Sequence, residues 1–168
     1  MKVLAKITDR DVGGKAWKVR QHVRIAARAI VLKRNKIALM KVSKRGYYKL
    51  PGGGVKKGEI VKRGLMREIK EEVGSDIKII SELGEIVEYR THEGLIQKSR
   101  AFIAESTKGG KPTFSKGEKK AGFKLEWMSI DRAIKLMKKS KPKLHSEKFI
   151  VKRDTLFLET AKRLLARK

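Results

Sequence analysis

Gly52-Gly53-Gly54-Val55-Lys56-Lys57-Gly58-Glu59-Ile60-Val61-Lys62-Arg63-Gly64-Leu65-Met66-Arg67-Glu68-Ile69-Lys70-Glu71-Glu72-Val73-Gly74 is the stretch on which the reading of this chain turns. It joins a glycine-rich breaker to a helical pattern. Val61, Leu65, Ile69 and Val73 form one apolar stripe at about 100° per residue, with Met66 at its edge, so a helix is expected from about Val61 to Val73. Gly74 is its expected C-cap. Glu68, Glu71 and Glu72 fall beside the stripe, within an arc of roughly 100°. Gly64 projects into that arc without a side chain, while Lys62, Arg63 and Lys70 lie further round toward solvent. Like charges at this spacing repel, and a solvated helix would gain from dispersing them. A hard divalent cation removes the penalty. An oxygen-only donor set suits Mg²⁺ or Mn²⁺, which keep some waters and bridge to phosphates. Arg67, four residues before Glu71, is expected to pair with it. The glycines let backbone approach an anion or a metal closely.

Outward from this stretch, strands and helices interleave. Ile25–Leu32 and Ile37–Val42 flank a short polar turn and read as a β-hairpin. A short strand around Tyr47–Leu50 runs into Pro51. Ile77–Tyr89 and Ile96–Ala104 read as two further strands joined across Thr91–Gly94, and Phe123–Met128 as another. Ser106–Ala121 is expected to be a polar loop. A helix is expected over Asp131–Lys139, with Ser129 or Asp131 as N-cap, and a last one from about Glu147 to Ala166. Phe149, Ile150, Phe157, Ala161 and Leu164 mark the apolar face of that last helix. No repeat and no linker is visible. A mixed α/β architecture in a single domain over residues 1–168 is the expectation.

Composition narrows the chemistry. The absence of cysteine excludes disulfides, thiolate nucleophiles, Cys-ligated zinc and iron–sulfur clusters. Lys and Arg number 44 against 18 Asp and Glu, a net charge of +26, which points to polyanionic partners, nucleic acid or phosphorylated small molecules. Residues 71–90 run against this trend, with six acids and two bases. Met1–Arg10 has no apolar leader core, and the longest apolar run, Ile25–Leu32, is interrupted by Arg28 and far too short to span a bilayer. A soluble, cytoplasmic protein with no membrane partner is expected. A Walker A loop is excluded because Glu59 follows Gly58 where Lys and Ser or Thr are required. The dinucleotide pattern fails because Lys57 occupies the place of its third glycine.

The full pattern is Gly53, five residues, Glu59, seven residues, Arg67-Glu68-Ile69, one residue, Glu71-Glu72, one residue, Gly74. At this chain's own residue frequencies it is expected by chance on the order of 10⁻⁶ times. It resembles the Nudix box, the signature of the Nudix hydrolase superfamily, and Ala26–Val31, Lys49–Gly54 and Ala121–Trp127 resemble bacterial MutT-like members more loosely. The resemblance implies an α-β-α sandwich around a mixed β-sheet. It also implies Mg²⁺-dependent hydrolysis of a diphosphate linkage in a nucleoside diphosphate joined to another moiety. Glu68, Glu71 and Glu72 would then be metal ligands, with Glu68 or a loop carboxylate such as Glu118 activating water. Glu59 and Arg67 would hold the loop–helix geometry, and Gly52 or Gly53 would offer backbone to metal or phosphate. Ser75 departs from the family's bulky aliphatic after the last glycine, and Ile77 is the expected substitute anchor.

Arg28 lies in an apolar strand and either faces the site or snorkels to solvent. Lys49, before the Pro-Gly turn, is a second candidate for stabilising charge on a leaving phosphate. Glu118 is either a mobile base on a closing loop or a solvated glutamate. Trp127 is expected in the core, and Trp17, Tyr47 and Tyr48 in packing roles. His22, His92 and His145 share no ligand spacing. The basic surface leaves an alternative, an RNA 5′-end pyrophosphohydrolase or RNA-binding Nudix protein. A third reading, a binding module without the chemistry, is disfavoured by the complete set of carboxylates.

Overall fold

A computed structural model of the chain describes residues 1–166. Its strands are β1 (Val3–Thr8), β2 (His22–Lys33), β3 (Lys36–Val42), β4 (Tyr47–Lys49), β5 (Ser75–Arg90), β6 (Leu95–Gly109) and β7 (Phe123–Met128). Its helices are α1 (Val61–Val73), α2 (Lys116–Ala121), α3 (Ile130–Lys139) and α4 (His145–Leu165). The strands make one mixed sheet in the order β1-β5-β6-β2-β3-β4, with β7 also on β3. β1 runs parallel to β5 and β2 parallel to β6, and the other pairs are antiparallel.

Alternation along β2 assigns the two faces of the sheet. Ala27, Ala29 and Val31 turn toward α1 and share a core with Leu65, Ile69, Val73, Phe102 and Ala38. Ile30 turns the other way and joins Ile86, Ala101 and Ile103 under α3 and α4, with Phe149, Phe157, Leu158 and Ala161. The expected α-β-α sandwich is the architecture found. Within α1, Leu65, Ile69 and Val73 are buried and Val61 half-buried, whereas Met66 is exposed, as its edge position requires. Gly74 closes the helix in the left-handed region at φ 68°, its N–H donating to Lys70 O. Ser75 is buried and bonds Ser106 Oγ at 2.6 Å, while Ile77 packs beneath α1 as the substitute anchor.

The hairpin expected from Ile25–Leu32 and Ile37–Val42 is tied only at its turn, by Leu32–Ile37 and Lys33–Lys36. Beyond that β3 swings away to pair with β4 and β7. The vacated edge of β2 carries buried N–H and C=O groups that need partners. Pro51–Val55 supplies them. Ala29 N–H donates to Pro51 O at 3.1 Å, Ala27 N–H to Gly53 O at 2.9 Å, and Val55 N–H to Ile25 O at 2.9 Å. The glycine loop is therefore laid along a central strand instead of hanging in solvent. Gly52 sits at φ 123°, and a Cβ there would stand 2.2 Å from the Ala27 carbonyl oxygen. No other residue fits this approach.

Three expectations need correction. β1, which pairs with β5, is a strand that the sequence reading does not include. The polar loop over Ser106–Ala121 is shorter than expected, because Ser106, Lys108 and Gly109 extend β6 along β5 and Lys116–Ala121 forms α2. α4 begins at His145, and Leu164, assigned to its apolar face, is 40% exposed. Ser129 is the N-cap of α3, its Oγ accepting the Arg132 N–H at 3.3 Å. Among the described residues no helix is long and apolar enough to cross a membrane.

Candidate active site

The loop and α1 are fastened by one arginine. Arg67 donates from Nε and Nη2 to the two carboxylate oxygens of Glu59, at 3.0 and 3.1 Å, and from Nη1 to Glu68 Oε1 at 2.6 Å. Its Nη2 also reaches Gly54 O at 3.3 Å. Glu59 further accepts the Lys56 N–H at 2.9 Å. These bonds, the Arg67 guanidinium first, hold the Glu59 carboxyl down at about 2. Gly64 makes room for them, since a Cβ there would stand 2.8 Å from Glu59 Oε2. The expected Arg67–Glu71 pair is the weakest contact of the set, at 3.9 Å. Arg67 reaches back across the loop to Glu59, and Glu71 is left with a side chain 49% exposed.

Glu72 and Glu68 take opposite positions on the glycines. Glu72 is only 2% exposed. Its Oε2 accepts the Gly52 N–H at 2.7 Å, and its Oε1 accepts Lys49 Nζ at 2.5 Å. Burial pushes the Glu72 carboxyl up, with the Lys49 ammonium and the Gly52 N–H pulling against it. Lys49 Nζ also donates to Gly52 O at 3.2 Å. Glu68 lies against the next residue. A Cβ on Gly53 would stand 2.2 Å from Glu68 Oε2, so only a glycine lets that carboxylate seat on the backbone.

Arg28 faces the loop rather than solvent. Its Nη1 donates to Ala27 O at 2.8 Å and Gly53 O at 3.0 Å, and its Nε has no protein partner. Burial draws its pKa down to about 10. Beside the loop opens a cavity of about 470 Å³, whose lining includes Arg24, Val55, Lys56, Lys57 and Glu59. Glu118 is placed otherwise. Its carboxylate accepts the Ser115 N–H at 2.7 Å and caps α2, which gives the solvated reading its physical reason. Trp127 is half-buried against the α1-side core with Lys33 Nζ 5.4 Å above its ring. Tyr47 is buried and Tyr48 half-buried, and Trp17, 56% exposed, stacks on His92.

The donor set of the box fits a hard divalent cation. Glu68, Glu71, Glu72 and Gly52 O are all oxygens, and Glu71 has only the 3.9 Å contact with Arg67. Glu72 Oε1 and Gly52 O already converge on one positive group, the Lys49 ammonium. The three glutamates do not yet share a point. Among the described residues, the grouping of three metal-competent side chains is Asp9, His92 and His145, far from the box in sequence.

Several charged residues escaped the sequence reading. Asp154 on α4 accepts the Leu50 N–H at 2.9 Å and so holds the root of the glycine loop. Arg153 bonds Asp154 at 2.7 Å and Glu88 at 3.3 Å, and Glu88 also accepts from Arg90, Gln97 and Ser99. A signal was available: Arg153 stands midway between Phe149 and Phe157, on the same helical stripe.

Comparison with known proteins agrees with this geometry. The family model described as NUDIX domain matches residues 22–148. The ADP-ribose pyrophosphatase of Methanocaldococcus jannaschii is 41% identical over 81 residues, 46% of this chain and 47% of that protein. An RNA pyrophosphohydrolase of Nitratiruptor sp. is 39% identical over 62 residues, 36% of this chain and 40% of that protein. The matches thus span less than half the length of these curated relatives. In structure, a MutT NUDIX hydrolase from Burkholderia pseudomallei superposes with a TM-score of 0.59 at 19% identity, covering 83% of this chain and 98% of that one, which is a likeness of fold. On the family match, the shared fold and the complete box, this chain belongs to the NUDIX domain family.

Proposed function

We propose that this chain is a pyrophosphohydrolase that cleaves the diphosphate linkage of a nucleoside diphosphate joined to another moiety. The observation that carries the reading is the Glu68 carboxylate, seated on Gly53 and oriented by an Arg67 that Glu59 holds from behind. Glu68, Glu71, Glu72 and Gly52 O would hold Mg²⁺ or Mn²⁺, which neutralises diphosphate charge and polarises the attacked phosphorus when bound. Glu68 takes the proton of the attacking water. The water oxygen bonds to phosphorus, and the bridging P–O bond breaks to leave two phosphate-terminated products. Arg24, Lys56 and Lys57 at the adjoining cavity take up substrate charge. Arg28 and Lys49 act on the loop itself, fixing the Gly53 and Gly52 carbonyls. Residues 1–168 work as one domain, in the cytoplasm.

ADP-ribose and 5′-triphosphorylated RNA, each with Mg²⁺ and with Mn²⁺, make the discriminating panel. Hydrolysis should be abolished by chelation and in Glu72→Gln. Equal product from wild type and that variant would overturn the reading. A second reading, action on RNA 5′ ends, is favoured by the net charge of +26 and by the match to an RNA pyrophosphohydrolase. It requires RNA affinity to fall by about one log–log unit of salt per phosphate contact, and a flat salt response removes it.

A further inference from the structure

The cluster Asp9, His92 and His145 lies outside the box and uses other chemistry. Its members come from three segments: the 3-10 turn Asp9–Val12 after β1, the 3-10 turn Thr91–Glu93 between β5 and β6, and the first residue of α4. Only three histidines occur in the chain, and two of them meet here. One ligand atom from each of the three residues lies within 4.8 Å of the others.

The cluster is built from behind. Asp9 is fully buried, and its Oδ2 accepts both the N–H and the Oγ1–H of Thr91, at 2.9 and 2.6 Å. That leaves Oδ1 aimed at His145 Nε2, 2.7 Å away. The His145 ring is set edge-on against Phe149 at 5.4 Å, and the Gly14 backbone passes so close that a Cβ would stand 2.4 Å from His145 Cε1. His92 stacks between Trp17, at 4.3 Å, and His145, at 4.5 Å, and its Nε2 lies 2.8 Å from Lys15 O. A backbone carbonyl on an imidazole nitrogen is the support that ligating histidines commonly have. Asp9 is buried, His145 half-buried and His92 exposed, so the cluster is floored by protein and open to solvent on one side.

We propose that Asp9, His92 and His145 form a second metal site, for a borderline divalent cation of the Zn²⁺ class, that fastens Gly13–Gln21 and the β5–β6 turn onto α4. Two imidazoles and one carboxylate are the donor set such ions prefer, whereas the all-oxygen box suits Mg²⁺. Binding releases the proton between His145 Nε2 and Asp9 Oδ1 to solvent on the open side. Ligands at about 2.0–2.1 Å around a tetrahedral ion stand roughly 3.3 Å apart, so these two atoms, now at 2.7 Å, must separate by about 0.6 Å. Water completes the coordination from the open side.

The test uses the untagged, metal-free full chain, titrated with Zn²⁺ by calorimetry in excess Mg²⁺, with Co²⁺ absorption as a report of tetrahedral nitrogen and oxygen coordination. One equivalent of Zn²⁺ should bind despite the Mg²⁺ and raise the thermal midpoint. His92→Ala, an exposed position whose loss should leave the fold intact by circular dichroism, should weaken Zn²⁺ by at least about tenfold. Glu68→Gln should leave it unchanged. Absence of Zn²⁺ binding in the wild type, equal affinity in His92→Ala, or loss in Glu68→Gln would each overturn the proposal. Because the readout is Zn²⁺ binding, failure of the hydrolase reading would show separately, in the substrate panel.

Discussion

The two faces of the sheet carry charge in opposite ways. On the α1 face, Arg67, Glu68 and Glu71 sit at the boundary with solvent, their side chains 26%, 16% and 49% exposed. On the α4 face, Arg153, Glu88 and Asp154 are wholly buried. The boundary charges share one arginine unequally and keep free lone pairs. The buried carboxylates are the better partnered: Glu88 accepts from Arg90, Arg153, Gln97 and Ser99, and Asp154 from Arg153 and Leu50 N–H, while Arg153 Nη2 has no partner. Among the box carboxylates, Glu68 and Glu71 stay partly hydrated and loosely partnered, whereas Glu72 is 2% exposed and held by Lys49 and the Gly52 N–H. Charge on the α4 face is dried and paired with opposite charge, because an unpaired ion there is too costly.

The largest effect expected from this contrast is on stability. Arg153→Met leaves buried Asp154 with no cation and Glu88 with Arg90 alone, and should cost about 3–5 kcal/mol in denaturant unfolding. Adding Glu88→Gln and Asp154→Asn should recover part of the loss. A loss under about 1 kcal/mol would break the contrast, since it would make the network dispensable. Next comes Glu68→Gln, expected to lower hydrolysis by about 10²–10³-fold with the unfolding midpoint nearly unchanged. Arg67 keeps its two bonds to Glu59 in that variant, so the loop stays fastened. If the variant unfolds instead of losing rate, the box is architectural too.

How much of this was legible follows from sequence distance. The box lies within 22 residues of contiguous chain, so helical periodicity alone placed Glu68, Glu71 and Glu72 on one side of the Val61–Val73 stripe and gave α1 its boundaries. What periodicity lacks is the third dimension. It assigned Arg67 to Glu71 by spacing, but Glu59 folds back over the helix and outcompetes it. It put Ile25–Leu32 beside Ile37–Val42 for their length, whereas Pro51–Val55 takes that edge through three backbone bonds. The partners of Glu88 lie up to 65 residues away, and Asp9 and His145 meet across 136. Such pairs leave only indirect marks, a charge on an apolar stripe or a histidine with no evident use.

Gly53→Ala probes the boundary face more gently. The new methyl meets the end of a flexible side chain, so the loop survives and the Glu68 carboxylate is pushed off its seat. A displacement of this size should lower hydrolysis about 10–10²-fold. Unchanged activity would show that the seating of Glu68 on Gly53 has no part in the reaction.

The smallest effect is a dependence on pH and salt. Glu59 titrates at about 2 in the folded chain against 4.5 for an unperturbed glutamate, so folding favours its ionised form. The stabilisation is therefore complete above pH 4.5 and is lost as pH falls from there through 2. Glu59→Gln removes the titrating group. The difference in thermal midpoint between wild type and Glu59→Gln should be greatest near neutrality and shrink across that acid window. Added salt should shrink it as well, because the pair with Arg67 is open to solvent. The loss in Arg153→Met should resist salt, because no ions reach Glu88 and Asp154. A Glu59→Gln difference constant in pH and salt would place Glu59 and Arg67 with the buried network of the other face.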